Sequence, residues 1–183
     1  MSREPRVGRP RVSSQETLAE AACELFLEKG YDATSVADIT RRAGVSRSSF
    51  FNYFSSKSDV LWAGLDERIA QFEVRLAEGE DAGGALRAIA DDLAPDALAL
   101  ALTHSGAMSV AGELARESAV RAARIGQALA DRLTREGVEA LTAQVRGGAA
   151  GAALLAAIHA WAQSTPGAQP LREVVDRALA LLG

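Results

Sequence analysis

Residues 47–53 read R-S-S-F-F-N-Y, which sets a guanidinium, two serine hydroxyls, a carboxamide and a phenol within seven positions. The guanidinium of Arg47 presents N–H donors in a fork, and Asn52 offers a donor and an acceptor side by side. Groups of this kind read base edges in the major groove, Arg47 suiting guanine and Asn52 suiting adenine or a phosphate. Ser48 and Ser49 are the smaller candidates for base edges. Phe50 and Phe54 stand four apart and should share a buried face, while Phe51 is placed to pack on a sugar or a thymine methyl. Upstream, Arg9 and Arg11 lie in a basic stretch suited to an adjacent minor groove.

Such side chains are useful only if a rigid element presents them. Ser46 is a suitable N-cap for a short helix from about Arg47 to Tyr53, and it stands with the candidate DNA-contact set. Gly44 sits where a chain leaving a helix favours a left-handed residue without a Cβ. Ile39 before the turn and Val45 after it should lock the two helices. Ser35, three before Asp38, starts the preceding helix, and Ser56 with Asp59 repeats the arrangement at the start of the next. A first helix is expected from Ser13-Ser14, ahead of Glu16, through Lys29, with Leu18, Ala21, Ala22, Leu25 and Phe26 as its apolar stripe. Helix, tight turn and second short helix in this order is a helix-turn-helix, whose second helix enters the major groove.

Residues 14 to 62 resemble the TetR (tetracycline-repressor-like) family of bacterial regulators. The resemblance rests on Lys29-Gly30-Tyr31, Thr34-Ser35-Val36 with Ile39, Ala43-Gly44-Val45-Ser46, the aromatic run ending at Phe54, and the Ser56-Lys57 step. It implies that Thr34, Ser35, Tyr53 and Lys57 hold the DNA backbone. Ser48 stands where the family usually has glycine, Phe51 where it has tyrosine, and Tyr53 where it often has histidine. The run from Phe50 to Trp62 also resembles an actinobacterial branch that includes mycofactocin-associated regulators, for which acyl-CoA thioesters are implied ligands.

Composition supports an all-α chain. Alanine and leucine dominate the apolar residues, aromatics are 5% of the sequence, and no stretch alternates as a strand would. The net charge of −4 divides unevenly. Up to Lys57 there are nine Lys and Arg against seven Asp and Glu, and beyond it eleven against seventeen. A basic reading end on an acidic body suits a protein that meets DNA with one face, although an ordinary solvated tail would show the same charges. Cys23 is the only cysteine, so no intramolecular disulfide can form, and its apolar neighbours favour packing. No apolar signal core follows the N-terminal arginines and no run suggests a membrane span, so a cytosolic protein is expected.

The expected organisation is a basic arm over 1–12, a three-helix DNA-binding unit over 13–57, and a helical ligand-binding and dimerisation domain over 58–183. A long helix from about Ser58 to Ala77, with Leu61, Leu65, Ile69, Phe72 and Leu76 as its stripe, should link the units. Lys57 at its N-terminal end is directed towards DNA. Gly79 and Gly83-Gly84 suggest a break, followed by helices near 85–94, 96–104, 109–136, 139–164 and 171–182. Residues 147–157 are nearly all glycine and alanine, a surface that lets two backbones meet. In the family the last two long helices form a twofold interface, here 139–164 and 171–182; packing within the chain is the alternative.

The resemblance further implies a near-palindromic operator in double-stranded DNA. It also implies an effector cavity whose occupancy swings the fourth helix. The alanine, leucine and valine of the body, with Trp62, Met108 and Trp161, suit a small apolar or amphipathic effector, or simply fill a core. A DNA-binding dimer without a small-molecule effector is the rival. No cofactor, metal site or catalytic activity is expected, since His104 and His159 lie in separate helices without further ligands.

Overall fold

The computed structural model describes residues 14–91, 96–165 and 168–183, and among these every regular element is an α-helix. The basic arm with Arg9 and Arg11 lies outside the described residues. Helix α1 (Ser14–Lys29) buries Leu18, Ala21, Ala22, Leu25 and Phe26. Cys23 is 7% exposed, and burial pushes its thiol up to about 11. Helix α2 (Val36–Ala43) opens with a reciprocal capping box between Ser35 and Asp38 and closes on Gly44 at φ 67°, the left-handed region that favours glycine. Helix α3 (Arg47–Tyr53) starts from Ser46, whose side chain accepts from the Ser49 N–H. Helix α4 (Asp59–Ala77) buries the expected stripe. The Asp59 carboxylate accepts from the Ser56 N–H at 3.0 Å, and the Ser56 hydroxyl accepts from the Asp59 N–H at 3.3 Å.

The body departs from the sequence-based expectation in its short helices. Helix α5 (Ala82–Ala88) contains Gly83 and Gly84, which were expected to break the chain. Asp81 explains the difference, because its carboxylate accepts from the Gly84 N–H at 2.7 Å and satisfies an otherwise unpaired first-turn donor. The expected helix over 85–94 therefore begins earlier and ends at Ala88. Pro95, Pro166 and Gly167 fall outside the described residues. Helix α6 (Ala97–Thr103) is capped by Asp96. Ser109 takes φ 54° in the connection to α7 (Ala111–Arg135), a left-handed position filled by neither Gly106 nor Gly112. Helix α8 (Ala140–Ala162) starts from Glu139, and α9 (Leu171–Ala180) from Pro170.

One apolar core runs from the N-terminal unit into the body. Phe26, Phe50, Trp62 and Phe72 are all fully buried within it. Trp62 and Met108, considered above as cavity-lining residues, are 1% and 0% exposed and belong to this core. Between α4 and α7, Arg121 is 6% exposed and grips Asp66 through two bonds of 2.8 and 2.6 Å. It also bonds Glu117 at 2.7 Å and lies 4.3 Å from the Trp62 ring centroid. A charge so enclosed is tolerable because the fork is matched by carboxylates on both sides.

The glycines of α8 pack within the chain. A Cβ on Gly151 would come within 2.2 Å of the Ala122 carbonyl oxygen, and one on Gly147 within 2.3 Å of the Gly126 oxygen. Helices α7 and α8 thus meet backbone to backbone, which corrects the assignment of these two glycines to a dimer face. Gly148, one position on, has nothing within 4 Å of such a Cβ. It lies with Leu141 (70% exposed) and Val145 (62% exposed) on the opposite, open side of α8. By length and composition Ala140–Ala162 is apolar enough to cross a membrane, with mean hydropathy 1.3, contrary to the expectation that no run would be. Its leucines and alanines give that value in a helix whose buried side is committed to α7.

Candidate nucleic-acid interface

Helix α3 is set on its scaffold by two aromatic residues one turn apart. Phe50 is 0% exposed and Phe54 is 3% exposed, their ring centroids 5.4 Å apart. With these two turned inward, helical geometry turns their neighbours outward. Phe51 and Tyr53 are about half exposed, at 48% and 49%, and Arg47, Ser48 and Asn52 are exposed while Ser49 is half-buried. The base-edge candidates therefore share the outer side of α3. Ile39, 0% exposed, and the partly buried Val45 pack against the common core from either side of the turn.

The serines at the start of α3 form one cluster. Ser46 Oγ accepts from the Ser49 N–H at 3.1 Å and lies 2.8 Å from Ser48 Oγ and 2.9 Å from Ser49 Oγ. Ser48 and Ser49 thus help to fix the cap they follow. Ser35 is similarly committed, its hydroxyl donating to Asp38 Oδ2 at 2.7 Å.

Two residues expected at the DNA backbone are placed otherwise. Thr34 is 2% exposed, and its hydroxyl donates to the Gly30 carbonyl at 2.8 Å. Burial removes that hydroxyl from any outside phosphate. Lys57 donates to the Tyr31 and Thr34 carbonyls at 2.6 and 3.1 Å and sits 3.9 Å from the Tyr31 ring centroid. Its ammonium closes the segment after α1 and retains one donor at most for another partner.

The remaining cations of the unit differ in their engagement. Lys29 pairs with Asp38 at 2.9 Å, Arg41 with the same carboxylate at 3.1 Å, and Arg42 bridges Glu24 and Glu28 across to α1. The Lys29 ammonium beside Asp38, with Ser35, holds its carboxyl well below the usual carboxylate range. Arg42 does the same for Glu28. Among the described lysines and arginines up to Lys57, Arg47 is the one whose charge is met by neither a carboxylate nor a carbonyl; it lies instead 5.5 Å from the Phe51 ring centroid.

The unit is joined to the body at Tyr31. Its N–H donates to the Met108 carbonyl at 2.7 Å, and its hydroxyl to Glu113 Oε1 at 3.1 Å. Burial pushes the phenol up to about 12, while Arg116 holds Glu113 below its ordinary range. Local spacing carries no sign of this junction, since Tyr31 and Glu113 stand 82 positions apart. Arg121 and Asp66, separated by 55 positions, are equally silent in the sequence.

This arrangement has known counterparts. Residues 18–63 match the family model of bacterial regulatory proteins, tetR family. Over 73 residues, the chain is 37% identical to a protein of Mycobacterium tuberculosis named as the mycofactocin biosynthesis transcriptional regulator MftR. It is 32% identical over 68 residues to the HTH-type transcriptional repressor ComR of Escherichia coli. These matches take in 40% and 37% of this chain, but only 37% and 32% of the two relatives. The likeness of the whole fold is broader. The TetR-family repressor FadR of Thermus thermophilus, solved with lauroyl-CoA, is 26% identical, with a TM-score of 0.54 over 92% of each chain. FadR of Bacillus halodurans has a TM-score of 0.55 over 91% of this chain and 96% of its own, at 18% identity, and shares the fold.

Proposed function

We propose that the chain is a DNA-binding transcriptional regulator that acts as a homodimer, in the cytoplasm, on a near-palindromic operator. The observation that carries this is the outward face of α3, where Arg47, Ser48 and Asn52 stand exposed on a helix anchored by buried Phe50 and Phe54. Base-edge contacts give sequence preference, and contacts to phosphate fix register. Arg47 and Asn52 take the first role, and Tyr53 and the arm residues Arg9 and Arg11 the second. A second copy is required for a twofold site. The open side of α8, with Leu141, Val145 and Gly148, and helix α9 supply the surface for it.

Repression relieved by a small effector is the mode we infer. The body offers an open cleft of about 300 Å³ between α6, α7 and α8, lined mainly by Leu102, Leu114, Leu155 and Ala156 with Ser118 and His159. Its apolar lining favours an apolar or amphipathic ligand. The lauroyl-CoA bound by the Thermus FadR makes lauroyl-CoA the first ligand to test. Effector binding would release DNA by favouring a conformer in which α4 and the Tyr31 junction no longer hold the two readers at operator spacing.

Selection of bound duplexes from a random pool, at stated salt, tests the DNA-reading function. Enrichment of a near-palindrome with half-sites about 10 base pairs apart, or a multiple, is expected. Enrichment of no sequence would contradict it. An acyl-CoA that both raises the thermal midpoint and releases the duplex would support the effector; a rise without release would place binding outside the switch.

A further inference from the structure

The charge of Arg47 is met by no carboxylate or carbonyl among the described residues, yet its guanidinium is located. It lies over the Phe51 ring at 5.5 Å, one helical turn on. The ring itself is not free to roam. It meets the Phe50 ring in a T-shaped arrangement, at a centroid distance of 5.3 Å and an interplanar angle of 81°, and Phe50 is fully buried. A chain of contacts therefore runs from the core, through Phe50 and Phe51, to the one guanidinium on the reading helix. A cation–π contact engages the charge of the guanidinium with the ring and uses none of its N–H groups in a hydrogen bond, so they stay available to an acceptor. An arginine so held loses less rotamer freedom when it engages a base edge.

We propose that Phe51 is a positioning residue that sets base preference through Arg47. It holds the guanidinium in a pose ready for a paired acceptor, instead of contacting a sugar or thymine methyl itself. The inference rests on the reading of α3 as a DNA-recognition helix, and it assigns a half-exposed apolar side chain a part in specificity. The spacing of Arg47 and Phe51, four apart on one helix, permits the contact, and the burial of Phe50 directs it.

The test is duplex selection followed by competition binding with the full chain and four variants: Phe51→Leu, Phe51→Trp, Arg47→Ala, and Arg47→Ala with Phe51→Leu. Phe51→Leu is expected to lower discrimination at the base pair read by Arg47 by about two- to fivefold per half-site. Affinity for unrelated DNA should stay unchanged. Phe51→Trp, which keeps a π-face, should restore discrimination at that base pair. In the Arg47→Ala background, Phe51→Leu should change nothing further there. Independent, additive effects in this cycle would overturn the proposal, as would a Phe51→Leu variant with wild-type base preference. A wild-type chain that enriches no sequence would instead defeat the reading of α3 and this inference with it. Phe51 is half exposed, so these substitutions leave the core intact, and an unchanged thermal midpoint for each variant checks this.

Discussion

Helices α2 and α3 are placed by polar caps and ties above a buried aromatic anchor, whereas α7 and α8 are placed by the absence of side chains. In the first pair, Ser35 and Asp38 cap each other, Ser46 caps α3, and Arg42 ties α2 to two glutamates of α1. In the second pair, Gly126, Gly147 and Gly151 bring two backbones together so closely that a single Cβ would collide. The difference follows from what each pair must do. Under the proposed function, α3 needs a fixed pose with its polar face outward, so directional bonds at its start and an aromatic anchor beneath it are effective. Two long body helices need only a close fit over many turns, which non-directional packing supplies.

The comparison can be broken most severely at its anchor. Phe50→Ala should destabilise the chain by about 3–5 kcal/mol, read by denaturant unfolding, because it empties a fully buried site beneath α3. A loss under about 1 kcal/mol would mean that the reading helix is not held from the core. Next in size, Gly151→Ala should cost about 1–3 kcal/mol through the clash with the Ala122 carbonyl, while Gly148→Ala should be neutral or stabilise by up to about 1 kcal/mol. Equal effects at the two glycines would contradict the two-sided reading of α8. Smaller again, Ser46→Ala should cost about 1 kcal/mol and disturb the serine cluster on which α3 starts.

Acid should act on the polar pair by a defined route. Asp38 is held below its ordinary value in the folded state, so its contribution to stability is present above the unfolded carboxylate range near pH 4 and is lost as pH falls through that range and below. Asp38→Asn should therefore flatten the stability profile below about pH 4. A profile identical to wild type would remove Asp38 from the account. At the weakest end, Cys23, buried and with its thiol pushed up to about 11, should resist alkylation in the native chain at neutral pH and react freely on unfolding.

The same contrast explains what was legible in the sequence. Caps and turns are local, so Ser35 with Asp38, Gly44 and Ser46 define α2 and α3 from spacing alone. The arrangement at Ser56 and Asp59 is local in the same way. Gly83 and Gly84 mislead because a glycine pair ordinarily marks a break, while the deciding group is the carboxylate of Asp81 beside them. Thr34 and Lys57 carry polar groups suited to phosphate, but whether those groups face outward depends on carbonyls brought near by the turn after α1. Which side of the glycine-rich stretch meets α7 depends on Ala122 and Gly126, more than twenty residues away in sequence, and periodicity among small residues cannot distinguish the two sides. Tyr31 and Glu113 meet only because the body folds back on α1.

The most direct test of the central claim, that α3 reads sequence, is the affinity of the purified chain for its selected duplex against a scrambled duplex of equal length and composition, measured across a range of salt. The account predicts that both affinities fall as salt rises, and that the selected duplex stays tighter by about a thousandfold or more near physiological salt. A ratio near one at every salt concentration would contradict it, and would leave the exposed face of α3 without a reading role.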